Sequence, residues 1–171
     1  MGVRVLCLRH AESENVVAGV AGALPPAELT PKGRAQAAEA AERLRGEGVI
    51  RIYASTAVRA RQTAEIIARA LGLREEVVAL RGLVEFGIGR LEGTADPDEP
   101  ATRPDQLTAS DSGTVALVGH VGSLTAGLSV LCPGLGEQVW GAPLPHAVPF
   151  PVEWDGRSWR CASWPALRQD R

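Results

Sequence analysis

The sequence predicts an α/β fold: three layers, α/β/α, around a mostly parallel sheet with an antiparallel hairpin at its C-terminal end. Three observations predict it. Apolar segments of strand length alternate with stretches of helical periodicity, the pattern of a sheet with crossover helices. The strand candidates are apolar at almost every position, which calls for cover on both faces. Last, Asp155-Gly156 separates two strand-like segments, 147–154 and 157–161, and is a two-residue hairpin signal.

Each element has a local reason. Val3-Arg4-Val5-Leu6-Cys7-Leu8 reads as a buried strand. Thr30 is an N-cap and Pro31 a favoured first helical residue; Ala37, Ala41 and Leu44 form one stripe before Gly46 and Gly48 stop the helix. A second strand covers 49–54. The helix predicted over 57–71 places Ala60, Ala64, Ile67 and Leu71 on one face. Residues 77–80 and 114–119 supply two more strands, and a helix over 123–131 stops at Cys132-Pro133-Gly134. Residues 94–113 hold three prolines, four aspartates and little apolar content, a loop long enough to act as a lid or link. No repeat or boundary interrupts the pattern, so 1–171 reads as a single domain.

Composition bounds the function. Of 171 residues, 45% are hydrophobic and 22% charged, which excludes wholesale disorder. Eighteen basic against 20 acidic side chains give a net charge of −2, removing the global electrostatic case for nucleic acid but not for a local basic pocket. Lys32 is the single lysine, so the basic side is almost entirely arginine. Cys7, Cys132 and Cys161 lack paired spacing and fit reduced thiols in a cytoplasmic protein. The apolar run at 3–8 is too short for a signal peptide, and nothing approaches the ~20 residues of a membrane span. No membrane partner is expected.

Open α/β sheets bind ligands beyond the C-terminal ends of their strands. There the sequence places Arg9-His10-Ala11-Glu12 after the first strand, Ser55 and Arg59 after the second, Glu85 after the third, and Gly119-His120 after the fourth. Two histidines, two arginines and a glutamate converge on one edge, and the physical sense is a phosphate site. Two guanidiniums can clamp phosphoryl oxygens, and nearby helix N-termini add N–H groups. An imidazole can be the nucleophile, and a carboxylic acid can protonate the leaving oxygen and later take a proton from water.

The motifs are specific. Leu8-Arg9-His10-Ala11-Glu12-Ser13 looks like an Arg-His-Gly signature with Ala11 in the glycine position. Leu29-Thr30-Pro31-Lys32-Gly33 with Gln36-Ala37 resembles LTxxGxxQA, and Ser55 through Ala64 matches SxxxRAxQTA. Leu83-Val84-Glu85 with Gly89-Arg90-Leu91-Glu92-Gly93 is similar to LxE…GxWEG, with Leu91 in the tryptophan position. Val118-Gly119-His120-Val121-Gly122 looks like a second-histidine motif. In this order the five elements resemble the histidine phosphatase, or phosphoglycerate mutase-like, superfamily. The resemblance implies a phosphoglycerate mutase-like fold and a small phosphorylated substrate, with no metal or cofactor. It implies His10 as the phosphorylated nucleophile and Glu85 as proton donor. Arg9, Arg59 and His120 would bind the phosphate, His120 also stabilising the transferring group. Asn15 would correspond, displaced by one residue, to an asparagine that often follows the first motif.

Only about twenty polar residues stand where most members carry a helical cap. A shortened cap at 94–113 opens the site and argues against a mutase, which must retain its intermediate. The leading expectation is therefore a metal-independent phosphomonoesterase acting on a small metabolite. A compact phosphoprotein phosphatase and a non-catalytic phospholigand binder are the alternatives. Specificity is expected from the loops at 16–28 and 94–113. Other signals point elsewhere. Cys7-x-x-His10 has no second pair for zinc, and no P-loop, dinucleotide fingerprint or serine elbow is present. His146, between prolines, reads as a loop residue, Glu12 and Glu92 as structural hydrogen-bonding groups, and the spaced tryptophans as packing.

Overall fold

The computed structural model describes residues 3–20, 26–73, 77–85 and 113–167. The expected lid, apart from Gly113, and the Gly89 to Gly93 motif lie outside them. Six strands form one sheet in the order β3-β2-β4-β1-β5-β6, with β1 at Val3–Arg9, β2 at Val49–Ser55, β3 at Val78–Leu80, β4 at Thr114–Gly119, β5 at Phe150–Trp154 and β6 at Trp159–Arg160. The four central and leading strands pair in parallel, while β5 and β6 add antiparallel at one edge.

Strand periodicity divides the core. Leu6, Leu8, Ile52, Ala54, Ala116 and Val118 point to one face, and Val5, Cys7, Tyr53, Val115 and Leu117 to the other. On the first face lie α2 (Pro31–Leu44) and α3 (Val58–Leu71); a short α1 (Glu14–Val17) precedes them in the chain. Both long helices meet the sheet through alanine: Ala37, Ala40, Ala41, Ala60 and Ala64 are wholly buried, and small side chains let the helices approach closely. Thr30 caps α2 by accepting the Gly33 N–H at 2.9 Å. Gly33 also needs its missing side chain, since a Cβ would lie 1.9 Å from the Glu12 carbonyl oxygen. On the second face, α4 (Val121–Leu131) presses Leu124 and Leu128 onto the sheet beside Phe150 and Trp164.

Two expectations needed correction. The helix after the fourth strand begins at Val121 rather than Ser123, because His120 itself takes the extended N-cap conformation. The C-terminal hairpin pairs Trp154 directly with Trp159, leaving a four-residue connection instead of a two-residue turn. The Asp155 carboxylate explains the longer turn: it accepts the N–H groups of Arg157 (2.8 Å) and Ser158 (2.9 Å). The paired rings lie 5.6 Å apart, so the two tryptophans pack across the hairpin.

Candidate active site

Sheet register builds the site. In the parallel pair β1/β4, Arg9 stands opposite Gly119, and the His10 N–H continues the ladder to the Gly119 carbonyl at 2.9 Å. His10 and His120 each follow those registered residues, so both imidazoles leave the same sheet edge and their centroids are 5.1 Å apart. On the other side of β4, β2 ends at Ser55, and Arg59 follows in the first turn of α3. All three side chains are buried: His10 is 3%, Arg59 2% and His120 0% exposed.

The hydrogen bonds fix which nitrogens carry protons. His10 Nδ1 lies 2.7 Å from the Ala11 carbonyl, an obligate acceptor, so Nδ1 donates. Its Nε2 then carries the lone pair, and accepts from Arg59 Nε at 3.3 Å. The same reasoning runs in reverse at His120. Arg59 Nη2 can only donate, so Nδ1, 3.4 Å away, accepts; Nε2 donates to Ser55 Oγ at 2.8 Å. One guanidinium thus faces lone pairs on both rings. Burial, reinforced by the other imidazole and the arginines, lowers the His10 pKa well below the usual histidine value. Burial and the Arg59 and Arg9 cations bring His120 down to about 3. Both rings are therefore neutral near pH 7, and a neutral imidazole is the form able to attack phosphorus.

Arg9 extends from the end of β1 and donates through Nη1 to the Leu144 carbonyl at 3.1 Å. Its buried Nε has no hydrogen-bond partner among the described residues. Burial lowers the Arg9 pKa, and the Glu85 carboxylate opposes that shift, so the two groups are electrostatically coupled. Glu85 is reached from β3 through a 3-10 turn at Arg81–Leu83. Its carboxylate accepts the Gly122 N–H at 3.0 Å and the Ser123 N–H at 2.9 Å, at the start of α4 and directly after His120. Gly122 makes this possible, because a Cβ there would lie 2.3 Å from Glu85 Oε1.

Among the six sequence-predicted residues, the structure joins His10, His120 and Arg59 by direct contacts and couples Arg9 with Glu85. Asn15 is engaged elsewhere: it accepts from Ser13 Oγ at 2.7 Å and donates to the Val20 carbonyl at 3.1 Å. These bonds shape the turn around α1, and none links Asn15 to the imidazoles. Glu12 has the structural role expected of it, bonded to Thr30 Oγ1 (2.8 Å) and Lys32 Nζ (2.9 Å). Cys7 is packed in the second core, where burial pushes its thiol pKa up. Among the described residues, no three His, Cys, Asp or Glu side chains group as metal ligands, and no helix is long and apolar enough to cross a membrane.

Three residues went unassigned in the sequence. Ser55 Oγ accepts from His120 Nε2 at 2.8 Å, and its place at a strand end inside the second arginine motif was an available signal. Thr63 Oγ1 accepts the Ala11 N–H at 3.1 Å; its i+4 spacing from buried Arg59 pointed to the same face. His146, whose ring lies 5.5 Å from that of His10, carried no local signal.

A sequence profile of the histidine phosphatase superfamily (branch 1) matches residues 5–113. The chain belongs to that superfamily. A Schizosaccharomyces pombe relative named a probable phosphatase is 36% identical over 115 residues, covering 63% of this chain and 40% of that protein. The 2,3-bisphosphoglycerate-dependent phosphoglycerate mutase of Thermoplasma acidophilum is 36% identical over 89 residues, covering 52% and 44%. The chain thus spans less than half the length of either curated relative. A solved mycobacterial glucosyl-3-phosphoglycerate phosphatase, complexed with VO3, superposes with a TM-score of 0.77 at 24% identity, covering 96% of this chain and 99% of that one. The histidine phosphatase fold therefore extends across nearly the whole chain, well beyond the profile match.

Proposed function

We propose that this protein is a metal-independent phosphomonoesterase working through a phosphohistidine on His10, with a small phosphorylated metabolite as substrate. One observation carries the reading: a neutral His10, its Nε2 lone pair turned toward a buried guanidinium that also faces His120. Arg9 and Arg59 neutralise the charge of the bound phosphoryl group. His10 Nε2 attacks phosphorus, the bond from phosphorus to the ester oxygen breaks, and protonated Glu85 gives its proton to that oxygen. Water then attacks the phosphohistidine, Glu85 takes one of its protons, and the N–P bond breaks to release inorganic phosphate. The phosphatase names of the yeast relative and the mycobacterial structure support hydrolysis and a small ester. The free thiols of Cys7, Cys132 and Cys161 support a reducing compartment such as the cytoplasm.

The test is phosphate release from a generic aryl phosphate in EDTA, followed by a panel of phosphorylated metabolites and phosphopeptides. Turnover that survives EDTA, disappears in His10→Ala and favours small esters is the expected result. Full activity in His10→Ala, or no release from any ester, would sink the proposal.

A further inference from the structure

The segment carrying His146 is tied to the end of β1 at three points. Arg9 Nη1 donates to the Leu144 carbonyl (3.1 Å), the Ala147 N–H donates to the Arg9 carbonyl (2.9 Å), and His146 Nδ1 lies 2.9 Å from the His10 carbonyl. A carbonyl only accepts, so His146 Nδ1 carries a proton and donates it. The backbone is distorted at this place: Ala147 is 4% exposed and holds φ of 53°, a left-handed conformation that alanine rarely adopts. Such strain persists only where surrounding contacts over-determine it, and it clusters at functional sites.

We infer that His146 is a positioning residue for His10, acting through the His10–Ala11 peptide. Its Nδ1–H holds the carbonyl of that peptide, while Thr63 Oγ1 accepts the N–H at 3.1 Å. The peptide plane is gripped from both sides. His10 Nδ1 donates to the next carbonyl along, Ala11, at 2.7 Å, so fixing the peptide fixes the ring that carries the nucleophilic Nε2. The inference rests on the phosphohistidine reading, in which His10 must meet phosphorus in line.

The experiment compares His146→Ala, His146→Asn and His146→Gln by kcat and KM on an aryl phosphate, and by 15N imidazole spectra of His10. An asparagine amide puts N–H where Nδ1–H stood; a glutamine amide puts it one bond too far. Misplacement of a reacting group by about 1 Å costs on the order of a hundredfold, so His146→Ala and His146→Gln are expected to lower kcat by about ten- to a hundredfold with KM little changed. His146→Asn is expected to recover to within about threefold of wild type, restoring the bond that positions the nucleophile. Wild-type kcat in His146→Ala, or equal losses in the asparagine and glutamine variants, would overturn the inference. If the alanine variant does not fold, the asparagine–glutamine contrast decides alone. Should the wild-type protein hydrolyse nothing, the function proposal fails, while the spectra still decide positioning. Unchanged His10 15N shifts in all three variants would refute it.

Discussion

Alanine at Gly122 sets two local effects of opposite sign against each other. The new Cβ would lie 2.3 Å from Glu85 Oε1, so the carboxylate must leave the start of α4. It ends a flexible side chain and can move without straining the backbone. The cost is therefore the two hydrogen bonds from Gly122 and Ser123, at 3.0 and 2.9 Å. Hydrogen bonds to charged groups contribute about 1.5–3 kcal/mol each; for a half-buried carboxylate the lower figure applies, giving about 3 kcal/mol for the pair. Glycine to alanine in a helix returns about 1 kcal/mol, leaving a net loss of about 2 kcal/mol. For a domain of this size that lowers Tm by about 4–8 °C. Gly127, in the same helix, is the control, because a Cβ there meets nothing within 4 Å. Gly127→Ala keeps the helix gain and is expected to raise Tm by about 2–4 °C. Thermal unfolding by circular dichroism reads both. A Gly122→Ala protein at or above wild-type Tm, beside a stabilised Gly127→Ala, would refute the assignment of Glu85 to the α4 N-terminus.

Other predictions follow the same logic. Gly33→Ala drives a Cβ to 1.9 Å from a backbone oxygen, which cannot swing aside, and is expected to lower Tm by at least about 4 °C in the same assay. His120 has a folded pKa of about 3 against an ordinary 6.5, so the unfolded chain binds the extra proton between those values. Its share of stability is complete above 6.5 and is lost as pH falls toward 3; urea titrations across that window should show a shallower slope in His120→Asn. Arg59→Lys replaces a fork that serves two rings with a point charge, and kcat/KM on an aryl phosphate is expected to fall by about a hundredfold or more. Near-wild-type kinetics would contradict its bridging role.

What the sequence disclosed was set by how local the physics is. The Thr30-Pro31 helix start, the alanine stripes of α2 and α3, and the bounds of β4 follow from neighbours within a turn or a strand, and all were legible. The convergence of His10, Arg59 and His120 was legible too, because a parallel sheet delivers its strand ends to one edge. The Trp154–Trp159 pairing was not, since a side chain, Asp155, chose the loop length. His146 was invisible for a stronger reason. It sits 136 residues from His10 and precedes Ala147, a non-glycine residue at positive φ, which no propensity predicts.

The ladder between β1 and β4 has a consequence for how such a site can change over time. His10 and His120 are placed by two strands counted from one register, so the sheet acts as a ruler for the two imidazoles. Losing or gaining a single residue in either strand would shift one ring by about 3.3 Å and turn it to the opposite face. No later adjustment in a loop restores that. Insertions and deletions that keep the two rings together are therefore confined to the segments between strands, while the strand lengths stay fixed.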